Sequence, residues 1–514
     1  MSMSGSRMTA AALALVLAGA AGCSTGEGVD VNGGGASAGA GAGGTLAAAI
    51  GGEPDQLDPH KTSAYYSFEV LENVYDTLVE PGPDLKMGPA LATKWTTSAD
   101  QLTWTFTLRD GVKFSDGSPL TSEDVVYSYN RVIKQKLNSS YKFTTVKSVT
   151  APDPTTVVIA LTAPTPNLLA NLGGFKGVAI VEKSNVESGA VKTKPVGSGP
   201  FSVASYTSGD SIKLVRNDAY WGQKPKLDGV TFTFVKDPTV ALQNLRGGEV
   251  QWTDNLPPQQ VASLREGGEL TVETTPSTDY WYLALNEARK PYDNPAVRRA
   301  VAFALDREAI TKAAKFGLAT VNQTAIPKGS PFHVDYAPYT HDPAQAKQLL
   351  DSAGVKGLTM DLMVTSEYPE TVTAAQVIAA QLKEVGITAK IRTLDFAQWL
   401  DEQGKGGFDA FMLGWLGNLD PDEFYYAQHH SGGTFNFHKY RNPAVDTLLD
   451  QARTQTDEAA RKRTYEQAAK QIVDDASYIY LYNPDVVQGW SKKVTGYQAR
   501  PDRAIRFRDV ALAR

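Results

Sequence analysis

Between residues 290 and 400 the chain alternates helix and strand signals in a pattern that an α/β layer with parallel strands satisfies. Asn294 is placed to cap a helix with Pro295 in its first turn, and Val297, Val301 and Leu305 share one face. Asp342-Pro343 opens a second helix, whose Ala346, Leu349 and Leu350 face inward before Gly354 stops it. Leu358, Met360, Leu362 and Val364 then alternate as a strand. A helix follows from about Glu370 to Val385, with Gly386 as its stop, and Ile387, Ala389 and Ile391 alternate again. Such a unit crosses over right-handed and sets its strands parallel. Phe408 to Leu413 reads as a buried strand emptying into the loop Gly414-Trp415-Leu416-Gly417-Asn418-Leu419-Asp420-Pro421. Ligands of open α/β sheets sit beyond the carboxyl ends of strands, so this loop is a binding candidate on topology alone.

The preceding half is richer in hairpins. Trp104, Phe106 and Leu108 alternate with Thr, Asp110-Gly111 and Asp116-Gly117 are turn signals, and Thr121 with Asp124 forms a capping box for a helix through Val125, Val126 and Tyr129. At 514 residues the chain is long enough for two or three domains. Its single cysteine, Cys23, allows no intramolecular disulfide, so the fold rests on burial.

Cys23 stands at the end of an export-type leader. Arg7 supplies a positive charge, Ala10 to Ala21 is a small apolar run, and Ala20-Ala21-Gly22 is a cleavage region. The run is shorter than the roughly 20 residues of a lasting membrane span. Leu17 to Cys23 resembles a bacterial lipobox, which implies acylation of Cys23 and anchoring on the outer face of the cell membrane, in the periplasm or cell-wall zone. The expected leader is 1–22. Residues 23–44, mostly Gly, Ala and Ser, form a tether in which a G-x-S-x-G match at Gly35 and glycines at 39, 41 and 44 are chance.

The formal net charge of −6 argues against a nucleic-acid partner. HExxH, CxxC and the phosphate-binding glycine loop are absent from the sequence. Ser139-Ser140-Tyr141-Lys142 matches S-x-x-K, but the S-D-N and K-T-G partners that a serine nucleophile needs are missing. His429, His430 and His438 lie close together without an acid or cysteine at ligand spacing, and are read as a polar loop with no metal. No catalytic residue and no cofactor are expected. Aromatic side chains gather at Tyr65-Tyr66, at Tyr280-Trp281-Tyr282, and at Trp415 with Tyr425-Tyr426, where core packing competes with a ligand cleft.

Several ordered segments extend this reading: Leu57-Asp58-Pro59-His60, Val74-Tyr75-Asp76-Thr77-Leu78-Val79, the run from Leu102 through Arg131, and Pro195-Val196-Gly197-Ser198-Gly199-Pro200-Phe201. Arg216 to Trp221, Asp293 to Arg298, Ala304 to Arg307 and the loop at 414–421 complete the set. Together they resemble the bacterial extracytoplasmic solute-binding proteins of family 5, the dipeptide, oligopeptide and nickel group. The resemblance implies an α/β, two-lobed periplasmic-binding-protein-like fold of type II, in its three-domain peptide-binding variant, with two hinge strands. Domain I is expected at 45–75, 195–285 and 488–514, domain II at 76–194 and domain III at 286–487, with crossings near 285 and 488.

The implied function is capture of a small molecule, a peptide, by a monomeric lipoprotein serving the permease and ATPase subunits of an ABC importer. The implied contacts are Ser63, Ala64 and Tyr65, then Gly414, Trp415 and Leu416, with Tyr141, Asn255 and Tyr282. Peptide binders of the family carry an Asp three residues after the loop tryptophan. Here Asn418 stands there, and Asp420 is the nearby acid. Dipeptide binders place an Arg near Val364, where this chain reads Thr365-Ser366-Glu367, which speaks against strict dipeptide specificity. The same fold could take a nickel chelate, an opine-like conjugate or an oligosaccharide. A cell-wall hydrolase acting through Ser139 is the alternative of another class.

Overall fold

One strand, Tyr478–Ser491, connects the two lobes of this computed structural model. The structure describes residues 43–174 and 177–513. The leader, Cys23 and almost all of the tether with its glycine motifs lie outside the described residues. The long strand belongs to a twelve-stranded mixed sheet. Its first half pairs antiparallel with Tyr280–Leu285 and with Ala319–Val321. Its second half pairs with Leu270–Pro276 and Trp252–Thr253.

The lobes meet where Ser277–Asp279 runs beside Pro484. Ser277 donates its N–H and its hydroxyl to the Pro484 carbonyl, at 3.2 and 2.5 Å, and the Asn483 amide donates to the Asp279 carbonyl at 2.7 Å. Proline has no amide hydrogen, so Pro484 contributes only its carbonyl to this crossing. All of Tyr280–Leu285 is buried in the core of the second lobe.

That lobe contains the α/β unit anticipated from the sequence. Leu358–Thr365 and Ile387–Leu394 are parallel, with Pro369–Glu384 as the crossover helix. Ala410–Trp415 lies parallel to Leu358–Thr365 and antiparallel to Tyr280–Leu285. Helices Pro295–Ala304, Pro343–Ser352 and Pro421–His429 each start with proline after a capping Asn or Asp that accepts a backbone N–H.

The first lobe holds two large cores. One packs Leu46, Ile50, Trp252, Trp490 and Phe507 around the strands Thr45–Ile50 and Gly229–Phe234, which run parallel. The other lies under the antiparallel sheet of Ala92–Thr97, Thr103–Leu108, Thr156–Leu161 and Val146–Asp153, against the helix Ser122–Gln135. In the capping box of that helix, Asp124 accepts the Thr121 N–H at 2.8 Å. Among the described residues no helix is long and apolar enough to cross a membrane.

The sequence segments that carried the resemblance bond to one another inside the first lobe. Asp58 takes a two-pronged ion pair from Arg131, with Nη1 at 2.9 Å, while the His60 ring meets Arg131 Nη1 at 3.0 Å and the Ala179 carbonyl at 2.8 Å. Burial holds His60 down at about 4, so it is neutral. Asp76 accepts the Ser198 hydroxyl and the Trp221 indole N–H, each at 2.8 Å.

Candidate ligand-binding site

A cavity of about 550 Å³ opens between the lobes on the hinge side. Tyr65 and Tyr66 wall it from the first lobe, Trp281 and Tyr368 from the second, and Leu416 closes one end. Trp281 lies edge-on to Tyr368 at 5.6 Å, and Tyr65 edge-on to Tyr66 at 5.5 Å. Two glycines make room for these rings. A Cβ on Gly52 would sit 2.4 Å from the Tyr66 ring, and one on Gly414 would sit 2.7 Å from the Trp281 ring.

The polar part of the wall is largely self-paired. Lys236 reaches Glu367 across the lobes at 3.5 Å, and Lys315 reaches Glu370 at 3.6 Å. The Arg503 guanidinium donates to Asp279, lies 5.7 Å from the centre of the Tyr65 ring, and is raised although burial opposes its charge, chiefly because the Asp279 carboxylate holds its proton. Fully buried Asp279 also accepts the Gly417 N–H at 2.8 Å, which ties the glycine–tryptophan loop to the C-terminal segment. Asn255 donates its amide to the carbonyls of Val235 at 2.8 Å and Lys236 at 3.2 Å. Asp254 and the buried Glu69 face each other. Burial, and then the charge of Asp254, push Glu69 well above the ordinary carboxyl range. Burial raises Asp254 too, against the charge of Arg503.

Of the residues expected from sequence, Tyr65, Asn255 and Leu416 line this cavity, and Gly414 lies beneath Trp281. Ser63 is exposed ahead of the helix Tyr65–Leu71. Ala64 is the N-cap of that helix, and its N–H is bonded to the Thr62 hydroxyl at 3.0 Å. Tyr282 is core: its ring stacks on Tyr478 at 3.8 Å and is fully buried. The neighbouring Trp281 faces the cavity instead, because adjacent strand residues point to opposite faces.

The remaining candidates lie at or beside a second inter-lobe contact. Tyr141 packs edge-on to Phe435, and Trp415 meets the same ring at 4.8 Å. Asn418 is buried, and its amide nitrogen has no hydrogen-bond partner among the described residues. Asp420 pairs with Arg461, with bonds of 2.8 and 2.6 Å, and caps the helix Pro421–His429. Next to it Lys142 pairs with Glu423 across the lobes at 3.4 Å, both side chains nearly buried, and Asn167 donates to Asp422 at 3.3 Å. The Lys142 ammonium thus has Glu423 as an acid partner. The His429 ring meets the Ser477 and Tyr480 hydroxyls, His438 meets the Ser477 hydroxyl, and His430 faces Asp450 at 3.5 Å.

Sequence reasoning missed Tyr368, Asp254 and Arg503. Each sits far along the chain from the others, and no local pattern marks them. Trp281 fell within a flagged aromatic cluster, but a strand buried on both faces shows no alternation that picks the cavity side.

Two lobes joined by paired crossing strands around a walled cleft define a solute receptor. The chain belongs to the bacterial extracellular solute-binding proteins, family 5, whose model matches residues 86–436. It is 30% identical to the glutathione-binding protein GsiB of Pectobacterium atrosepticum, over 90% of this chain and 93% of that one. The structure of the ABC transporter-associated periplasmic binding protein DppA from Helicobacter pylori, in complex with the peptide STSA, superposes with a TM-score of 0.85 at 29% identity, covering 92% of this chain and 98% of that one. The Agrobacterium tumefaciens protein AgaA, in complex with agropinic acid, gives a TM-score of 0.83 at 28% identity, covering 91% and 99%. The chain is accordingly a solute-binding protein of this family.

Proposed function

We propose that this chain captures peptides, chiefly oligopeptides, between its lobes and presents the closed form to a membrane permease. The observation that carries this is the cleft: about 550 Å³, walled by aromatic rings from both lobes. That size suits a small ligand, and flat rings accept varied side chains. The Helicobacter relative, which holds a peptide, supports the choice. In this reading an extended peptide touches Tyr65, Asn255 and Leu416 and runs between the Ser63–Tyr65 segment and the Gly414–Leu416 strand end, held largely through main-chain bonds.

The receptor works as a monomer tethered by a diacylglycerol on Cys23, two acyl chains being enough for stable anchoring. Cys23→Ser is expected to release it into the medium; retention at the membrane would contradict the anchor. For the ligand, mass spectrometry of molecules carried through purification, followed by calorimetry with a casein hydrolysate, is expected to find peptides. A sugar or metal chelate as the sole guest would overturn the reading. An opine-like conjugate is the second reading. It is favoured by Asn418 in the loop position expected to carry an acid and by the likeness to AgaA.

A further inference from the structure

One part of the cavity wall carries an acid with no ion-pair partner among the described residues. Asp254 lines the cavity, and its Oδ1 is buried with no hydrogen-bond partner among the described residues. Glu69 lies against it from the helix Tyr65–Leu71 and is 0% exposed. The cation that bears on both is Arg503, which is already held by Asp279. The other acids of the wall are provided for. Glu367 and Glu370 are paired with Lys236 and Lys315, and Asp485 lies in the field of Lys315.

Two buried carboxyls side by side do not both ionise unless a positive charge joins them. The empty role is that of a compact cation with several N–H donors. A primary ammonium fits that description, and every unblocked peptide carries one. The glycine–tryptophan loop cannot serve it, since Asn418 has no charge and Asp420 is occupied by Arg461. We propose that Asp254, backed by Glu69, seats the ligand's primary ammonium group and so moves amine recognition from the loop to the hinge side of the cavity. This rests on the peptide reading above.

The pair shares a proton while the cavity holds no cation. Burial raises both groups, Glu69 the more strongly because the charge of Asp254 adds to its burial. An arriving ammonium favours the doubly ionised pair, so binding releases that proton to solvent. No covalent bond changes.

The test compares a casein hydrolysate with the same hydrolysate after all its amines have been acetylated. Calorimetry is run on the full-length protein and on Asp254→Asn, in buffers of different ionisation enthalpy. The wild type is expected to bind the acetylated pool weaker by about thirtyfold or more, and to release a proton only with the free-amine pool. Asp254→Asn is expected to erase the discrimination and the proton release. Glu69→Gln, which keeps the shape, is expected to erase the proton release alone, and it serves as the second variant if Asp254→Asn does not fold. Equal binding of both pools by the wild type overturns the ammonium seat and leaves the peptide reading standing, as does full discrimination in Asp254→Asn. Failure of the wild type to bind either pool overturns the peptide reading and the seat with it.

Discussion

The lobes touch in two regions that differ in what they leave open. Around the 414–423 loop the charges are satisfied by protein: Asp420 by Arg461, Asp422 by Arg453 at 2.9 Å, Glu423 by Lys142. On the hinge side the lobes part around a cavity, and Asp254 keeps an unsatisfied oxygen. The difference separates two tasks. In the proposed function, the first region holds the lobes in register and the second reads the guest.

Breaking each region tests this division. The largest effect is expected away from both, at the buried Asp58–Arg131 pair that braces the first lobe. Arg131→Met strands a carboxylate in the interior and should cost about 3–5 kcal/mol in urea unfolding. A loss below about 1 kcal/mol would show that the pair braces little.

Next comes the seam. Lys142→Met removes the cross-lobe partner of Glu423 without touching the cavity. It should weaken peptide binding by about tenfold and shift free protein toward open forms in small-angle scattering. Unchanged affinity would mean that the seam does not bear on closure.

A smaller effect is expected in the second-lobe core. Burial pushes the Glu287 carboxyl up to about 8, against the pull of Arg298 at 3.2 Å. The folded state therefore holds a proton that the unfolded state releases, and stability falls as pH rises from about 4.5 to 8. Glu287→Gln should flatten part of that fall, by about 1–2 kcal/mol across the window. An unchanged slope would contradict the protonated state. The opposite slope belongs to His429, whose burial holds it down at about 3, so the unfolded state gains a proton first and stability falls as pH drops below about 6.5.

The smallest effect is at Lys236, which is 71% exposed in its ion pair with Glu367. Lys236→Gln should change binding by less than about 1 kcal/mol. A larger loss would move this rim contact into the seat of the ligand.

The same two regions show what could be read from the sequence. Helix starts were legible because Asn294-Pro295, Asp342-Pro343 and Asp420-Pro421 solve a local problem, the unsatisfied N–H groups of a first turn, with local chemistry. The parallel strands were legible from alternation at Leu358–Thr365 and Ile387–Leu394. The cavity was legible only in part. Tyr65 and Leu416 came in or beside the ordered segments and Asn255 outside them, whereas Tyr282 was chosen where Trp281 faces the cavity. Asp254, Tyr368 and Arg503 meet only because the long strand brings three distant parts of the chain together, and no spacing along the sequence encodes that meeting. Asp420 looked available until Arg461, on a helix forty-one residues further on, claimed it.

The most direct test is a crystal structure of the protein with a peptide fraction from casein hydrolysate bound. The account predicts density between Tyr65 and Trp281 with a nitrogen against Asp254, and a seam at Lys142 and Glu423 that is closed and empty. Density seated instead at Asn418 within that seam, with the hinge-side cavity holding only water, would contradict it.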